Sequence, residues 1–385
     1  MKRWISLLLA LSLTAACTGG FAESSFETKA VRVLREYHAL GAVVCLYTPD
    51  DGLRTLAYGQ TKRRGGEAVT ADTAFLTASV TKMATAIGAL RLCETGLLTL
   101  DGDIGDVLGY SVRNPRYPQT PITLRQLLTH TAGIKHNADY AKKDGRGRKT
   151  LQEMLSSGDN VKRNFASWEP GTRVEYSNFG AGIVGSLIER VTGQGLDAAM
   201  RRLVFEPLGI DAAYTAGAMA EPERIATAYR ESGSVGYDPQ KDARAAGYAP
   251  EDHYDLAVGS LMISGPDLAR LLRLLAGDGS VDGVRVLKPE TVALMRSEQN
   301  GAGSVLCASG RGLGMEVREN LVRGRTLWGH QGNVYGVLCE AYFDPADGTA
   351  AVLLSNAIDK ERDDRGRFEA GVDVLKLCFA RDESL

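Results

Sequence analysis

Two segments of alternating and continuous apolar residues, one near each end of the chain, predict β-hairpins. The stretch "AVVCLYTPDDGLRTLAYG" (42–59) has two strand-like runs around a Pro-Asp-Asp-Gly turn. The stretch "YGVLCEAYFDPADGTAAVLLSNA" (335–357) repeats this arrangement around Pro-Ala-Asp-Gly. Strand-forming residues on both sides of Pro, Asp and Gly are typical of hairpins. The simplest arrangement is one sheet that joins the two ends of the chain.

The segments between these hairpins have mainly helical periodicity. Helices are predicted over 78–96, 122–129, 150–156, 178–192 and 265–277. A closing amphipathic helix over 368–382 would cover the sheet. The pattern therefore predicts an α/β fold, with an antiparallel sheet flanked by helices and an all-helical lobe inserted between the two ends.

The first 22 residues are typical of an export signal. Lys2 and Arg3 precede the apolar stretch "WISLLLALSLTAA", which is short for a membrane span. The small residues of "GFA" fit cleavage after Ala22, whereas "LTAAC" resembles a lipoprotein signal that would leave a lipidated Cys17. Both alternatives stay open. Either one predicts an extracytoplasmic protein, secreted or anchored by lipid, with residues 26–382 as its catalytic domain.

Composition narrows the functional class only a little. The chain has 385 residues, 44% of them hydrophobic, and a formal charge of −2, so nothing favours nucleic-acid binding. Six scattered cysteines without a C-x-x-C motif are expected to be mainly small buried apolar side chains, although one disulfide would be compatible with export. No sequence motif indicates a metal or other cofactor.

Ser79 and Lys82 form the first candidate for chemistry. They lie three positions apart in the apolar stretch "LTASVTKMATAIGAL" (76–90), so one helical face would bring the lysine amine to the serine hydroxyl. A desolvated lysine has a lowered pKa and can activate a serine as a nucleophile. Taken alone, the pair is also compatible with an ordinary serine and a solvated lysine.

Two further candidates lie far along the chain. Tyr176 and Asn178 lie at the start of the 178–192 helix. The asparagine could be an N-cap, and the tyrosine could relay protons if nearby cations favour its phenolate. His330 and Gly332 begin the C-terminal hairpin, and the glycine would let a ligand run close to the strand. Each of these features alone is compatible with a purely structural role.

The order of these motifs resembles that of the serine β-lactamases and penicillin-binding proteins. Ser-Val-Thr-Lys (79–82), Tyr-Ser-Asn (176–178) and His-Gln-Gly (330–332) look like the branch of class C β-lactamases, DD-peptidases and related esterases. Further similar segments are "LRQLLTHTAGI", "EPGTRVEYSNFG", "GSLMISGPDLARLL" and "AVLLSNA". They extend the resemblance from about residue 28 to residue 380.

The resemblance implies a catalytic cleft between sheet and helical lobe. Ser79 would be acylated, Lys82 and Tyr176 would accept its proton, and Tyr176 would protonate the leaving group. For substrate binding, it implies that Asn178 hydrogen-bonds Lys82 and the substrate amide, that His330 orients the substrate beside Gly332, and that the N–H groups of Ser79 and Asn333 form the oxyanion hole. The counterpart of His130 in such proteins is structural.

Two departures from the family pattern affect the expected substrate. His330 replaces the more usual lysine, and Gln331 replaces a small hydroxyl residue, which weakens the case for a dedicated β-lactamase. Arg323 or Arg325 could supply the missing charge. The expected substrate is a small molecule or peptide, such as a D-amino-acid peptide from peptidoglycan, an ester or, with less support, a β-lactam. The alternative is a penicillin-recognising sensor or a surface protein without catalysis.

Overall fold

A computed structural model describes residues 25–136, 149–157, 161–242, 250–251, 253–299 and 308–380. The strands are β1 Gly41–Thr48, β2 Gly52–Gly59, β3 Ala74–Leu76, β4 Ala228–Tyr229, β5 Val235–Tyr237, β6 Met262–Ser264, β7 Ser280–Val281, β8 Val284–Arg285, β9 Gly310–Gly312, β10 Met315–Glu319, β11 Thr326–Val334, β12 Val337–Phe343 and β13 Ala350–Ala357. The α-helices are α1 Phe26–Glu36, α2 Thr81–Glu94, α3 Ile104–Leu108, α4 Leu124–Leu128, α5 Asn178–Thr192, α6 Leu196–Met200, α7 Leu256–Gly259, α8 Gly265–Ala276, α9 Pro289–Met295 and α10 Glu369–Phe379.

One seven-stranded sheet joins the two ends of the chain, as the hairpin pattern predicts. Its order is β2-β1-β13-β12-β11-β10-β9, and every neighbouring pair is antiparallel. The N-terminal strand β1 pairs along its length with β13, for example Val44 with Leu353. The predicted antiparallel sheet with flanking helices is therefore confirmed.

Alternation along the strands gives the sheet two apolar faces. Val44 of β1 and Leu353 of β13 belong to the core that includes α1 and α10. Val43 and Leu354 belong to the larger core that includes α2, α5 and α8. Because successive strand residues point to opposite faces, a sheet covered on both sides reads as the continuous apolar runs seen in the sequence.

The predicted helices are present, with shifted boundaries. The helix expected over 78–96 is a 3-10 turn at Ala78–Val80 followed by α2, and the segment expected over 150–156 ends as a π-helical turn at Glu153–Ser157. Thr123 caps α4 through a complete capping box with Gln126. The N-cap of α5 is Ser177, whose Oγ accepts from the Gly180 N–H, so the assignment of Asn178 to that position was wrong.

Several predictions concern residues 1–24 and 381–385, which lie outside the described part of the chain. They include the signal segment 1–22, Cys17 and the end of the 26–382 domain; Cys307 also lies outside it. The four described cysteines, Cys45, Cys93, Cys339 and Cys378, are free thiols. No helix within the described ranges combines the length and apolarity that crossing a membrane requires.

The turn between β11 and β12 has only two residues, Tyr335 and Gly336. Tyr335 and Gly336 have φ values of 53° and 96°, which is the two-residue hairpin geometry that matches strand twist. A Cβ on Gly336 would lie 1.5 Å from the carbonyl oxygen of Tyr229. This turn therefore fixes β11 and β12 against β4.

We predict that Gly336→Ala lowers the free energy of unfolding by more than about 3 kcal/mol, because it adds a backbone clash to left-handed strain. Gly52→Ala is the matched control, since Gly52 has φ 75° in a turn with open space around it. That variant should lose only about 1 kcal/mol. Urea unfolding measures both, and equal losses would contradict the close approach at Gly336.

Candidate active site

Ser79 lies in a strained turn that joins β3 to α2. The preceding residue, Ala78, has φ 50°, a left-handed conformation that costs a non-glycine residue free energy and often marks functional sites. Two hydroxyl groups hold the turn. Thr77 Oγ1 donates to the Leu261 carbonyl at 3.0 Å, and the Leu261 N–H donates to Thr81 Oγ1 at 3.0 Å. The strain is therefore balanced by hydrogen bonds on both sides of Ser79.

Gly332 of β11 lies directly beneath this turn. A Cβ at this position would be 2.1 Å from the Thr77 carbonyl oxygen and 3.3 Å from Ala78 Cβ. The space that the missing side chain leaves is filled by the chain's own backbone, and the contact between Gly332 and a ligand stays a prediction. The absent side chain lets the serine turn rest on the strand.

Ser79 Oγ is held between Lys82 and Tyr176. Lys82 Nζ lies 3.0 Å from it, and the Tyr176 hydroxyl donates to it at 2.8 Å. Lys82 Nζ also donates to the carbonyl oxygen of Val258 at 2.6 Å. If the lysine is an uncharged amine, its lone pair can accept the Ser79 proton while one of its N–H groups continues to donate to the Val258 carbonyl oxygen. The three predicted catalytic side chains are thus within hydrogen-bonding distance around one oxygen.

The Lys82 amine is buried, as its apolar sequence context suggests. Only 5% of the residue is exposed, and Leu127, Ala181 and Ala257 help to line a small cavity beside it. Burial, assisted by the charge of Arg311, lowers the pKa of Lys82 to about 7. A large fraction of the lysine is therefore uncharged near neutral pH, as a general base must be.

Tyr176 keeps its proton in this site. Burial raises the pKa of its hydroxyl above the ordinary value, although the hydrogen bond to Ser79 and the charge of Arg311 act in the opposite direction. His130 supports the tyrosine. Its ring centroid lies 4.3 Å from that of Tyr176, and its Nδ1 accepts from the Ser177 N–H at 3.2 Å. The geometry thus favours Lys82 as proton acceptor and Tyr176 as proton donor.

His330 is inside the site but carries no charge near neutral pH. It is 2% exposed, and burial lowers its pKa to about 4 against the opposing effect of Glu316. Its ring centroid lies 6.4 Å from that of Tyr176. Gln331 points to the other face of the sheet, where its Nε2 donates to Glu340 at 2.7 Å. The glutamine side chain is therefore directed away from Ser79.

The Asn178 side chain does not form the bond that the resemblance implies, whereas the role that it implies for the Asn333 backbone N–H stays a prediction. Asn178 Oδ1 is buried without a hydrogen-bond partner, so the expected bond to Lys82 is not formed; the lysine donates to Val258 instead. Asn333 is an exposed residue of β11, and its Oδ1 accepts from the Lys360 ammonium group. The site therefore brings His330 and Gly332 to Ser79, while the asparagine side chains have other surroundings.

Sequence reasoning missed two groups in this site. The Val258 carbonyl belongs to the backbone, so no residue type in the sequence indicates it. Arg311 is recognisable only as an arginine between two glycines, which is a weak indication of a site residue.

Arg325 was the wrong choice for the positive charge, because it pairs with Asp344 and Asp347 at 2.8 and 2.7 Å. Arg323 is exposed in the β10–β11 turn, before the start of β11, whereas His330 is the middle residue of that strand. Within the described ranges, no group of His, Cys, Asp and Glu side chains could hold a metal ion.

Comparison with known proteins agrees with this geometry. A sequence model of the Beta-lactamase family matches residues 26–376. "Penicillin-binding protein 4" of Amycolatopsis lactamdurans is 31% identical, with 83% of this chain and 82% of the relative aligned. "Esterase EstB" of Burkholderia gladioli is 29% identical over 90% of this chain and 92% of its own length.

A solved structure shows the same fold. The D-amino acid amidase from Ochrobactrum anthropi superposes with a TM-score of 0.69 over 92% of this chain and 99% of its own, at 22% identity. The residues that the family model matches, 26–376, include every candidate site residue named above. The chain belongs to the Beta-lactamase family of serine hydrolases.

Proposed function

We propose that this protein is an extracytoplasmic hydrolase that forms an acyl-enzyme on Ser79 with small esters or D-amino-acid amides and peptides. The observation that carries the proposal is the position of Ser79 Oγ between Lys82 Nζ at 3.0 Å and the Tyr176 hydroxyl at 2.8 Å. A nucleophile within hydrogen-bonding distance of both a base and a proton donor has the arrangement that acyl transfer requires.

The acylation step follows from these contacts. Ser79 Oγ bonds to the substrate carbonyl carbon as its proton passes to Lys82 Nζ, and the bond to the leaving group then breaks. Tyr176 gives its proton to the departing oxygen or nitrogen and is reprotonated from Lys82. The backbone N–H groups of Ser79 and Asn333 would stabilise the oxyanion. Water then hydrolyses the ester on Ser79.

The uncharged His330 guides the choice of substrate. A neutral imidazole can orient a carbonyl or hydroxyl group, but it does not offer a permanent charge to a carboxylate. Esters and amides without a carboxylate therefore fit this position better than β-lactams, which carry one, and the same argument applies to peptides with a free C-terminal carboxylate. The names of similar proteins point the same way, since they include an esterase and a D-amino acid amidase. We further propose export through residues 1–22, by cleavage after Ala22 or by lipidation of Cys17.

The proposal is tested with a substrate panel of D-Ala-D-Ala peptides, D-amino-acid amides, short nitrophenyl esters and a chromogenic cephalosporin. Fluorophosphonate and fluorescent penicillin labelling, read by intact mass, should be run beside it. Turnover of esters or amides supports the proposal. A stable penicillin adduct without turnover would indicate the alternative, a penicillin-recognising sensor. No adduct with either probe would exclude Ser79 as the nucleophile.

Ser79→Ala should abolish adduct formation and lower turnover at least about a thousand-fold, because it removes the hydroxyl that forms the acyl ester. The melting temperature should change little, since Ser79 is only partly buried. Ser232→Ala, an exposed serine in the β4–β5 turn, is the control and should label normally. Retained turnover in the Ser79 variant would contradict the assignment.

The rate of fluorophosphonate labelling should rise with pH and level off above about pH 7, where Lys82 loses its proton. His330 should contribute no step in this range, because its pKa lies at about 4. Labelling rates between pH 5 and pH 10 measure this. A rate that rises only near the ordinary lysine pKa of 10.5 would show that Lys82 is not desolvated.

Lys82 should also make stability depend on pH. Its pKa of about 7 in the folded protein lies below the ordinary 10.5, so the cost of burying the ammonium is full below pH 7 and disappears as pH rises toward 10.5. Lys82→Met should therefore raise the melting temperature more at pH 6 than at pH 10. Thermal unfolding at both pH values gives this difference, and an equal effect at the two would contradict it.

A further inference from the structure

Arg311 is a buried charge beside the catalytic groups. It lies at the centre of β9, directly across from Glu316 of β10, and only 3% of it is exposed. Its guanidinium carbon is 5.6 Å from the ring centroid of Tyr176. A cation at this distance from an aromatic ring interacts with it favourably. The arginine therefore contributes to the electrostatics of the site without being exposed to solvent.

Two cations approach the same tyrosine. Lys82 Nζ is 5.1 Å from the Tyr176 ring centroid, compared with 5.6 Å for the arginine. A guanidinium stays protonated at any working pH, whereas an amine can lose its proton. Repulsion between two positive charges near one desolvated ring therefore favours the neutral form of Lys82, although Glu316, directly across from Arg311, offsets part of it.

The other titratable groups around Lys82 do not supply a permanent positive charge. Burial lowers the pKa values of both His130 and His330, so both are neutral near pH 7. Burial raises the pKa of Glu316, but Arg318, His330, Arg311 and the hydrogen bond from Tyr342 together lower it below the ordinary value, so Glu316 is negative. The described groups that interact with Lys82 from the surrounding elements are Tyr176, His130, His136, His330 and Arg311, and Glu316 lies directly across from Arg311 on β10. Among them, only Arg311 is cationic at every working pH.

We propose that Arg311 is a positioning residue for acylation, whose fixed charge keeps Lys82 in the amine form and so lets it accept the Ser79 proton near neutral pH. The inference rests on the proposed function, because it assigns Lys82 as the base. It adds that a residue outside the hydrogen bonds of Ser79 shifts further the pH range that the burial of Lys82 sets.

The test is the pH dependence of fluorophosphonate labelling in Arg311→Met, Arg311→Gln and Arg311→Lys. Loss of the charge should move the rise in rate upward by about one pH unit, which leaves labelling near pH 6 roughly ten-fold slower than in the unchanged protein. Arg311→Lys retains a cation and should keep most of the original profile. Arg325→Met, at the opposite end of β11, is the matched control and should not shift the profile.

A structural role would give a different result. If Met and Gln at position 311 slow labelling equally at every pH, or if Arg311→Lys shifts the profile as far as they do, the proposal is overturned. Melting temperatures identify any variant that fails to fold. Two neutral replacements and one charged replacement give independent measurements of the same shift.

A direct titration separates this inference from the proposed function. In protein labelled with 13Cε-lysine, the Lys82 resonance is assigned by its loss in Lys82→Met, and its midpoint should rise in Arg311→Met. If this shift occurs but no probe labels Ser79, the charge effect holds and the proposed hydrolase mechanism fails. If Ser79 labels normally and the Lys82 midpoint is unchanged, the mechanism holds and the role of Arg311 fails.

Discussion

The burial of one amine is the constraint on which the rest of the site depends. An ammonium group is strongly hydrated, and moving it into an apolar site costs several kcal/mol unless it is paired or loses its proton. Lys82 is 5% exposed, and its nearby partners are the Ser79 hydroxyl and the Val258 carbonyl, neither of which is an anion. The least costly state of this lysine near neutral pH is thus the uncharged one, which is also the state that can activate a serine.

The turn that carries Ser79 is held by close backbone contact with β11 and by two threonine hydroxyl groups. Ala78 accepts a left-handed φ of 50° because Thr77 and Thr81 tie the turn to Leu261, and because Gly332 leaves room beneath it. A strand glycine normally weakens a sheet, and here its absent side chain sets the distance between β11 and the serine. The strained turn and the strand glycine together place Ser79 close to β11.

The sequence predicted what periodicity and local chemistry encode: the two hairpins, the sheet that joins both termini and the Ser79–Lys82 pair on adjacent turns. It misplaced features that depend on tertiary contacts. Asn178 and Ser177 are both good capping residues, and only the chain path shows that the serine oxygen reaches Gly180. Arg311 lies more than two hundred positions from Lys82 along the chain. Only the pairing of β9 with β10 shows that it lies near the lysine, so the sequence alone could not reveal its effect on the amine.

The opposite face of the sheet also contributes to the site. Glu316 accepts hydrogen bonds from the Gln331 N–H at 3.2 Å, from Arg318 at 3.1 Å and from the Tyr342 hydroxyl. β10 pairs with β11 only as far as Gly329. Beyond this point, the Glu316 carboxylate accepts the hydrogen bond of the Gln331 N–H in place of a strand carbonyl. A buried anion with three donors is held firmly, because moving it would leave each donor unsatisfied. Glu316 therefore fixes the point where strand pairing ends, and the segment that follows is free to face the serine turn.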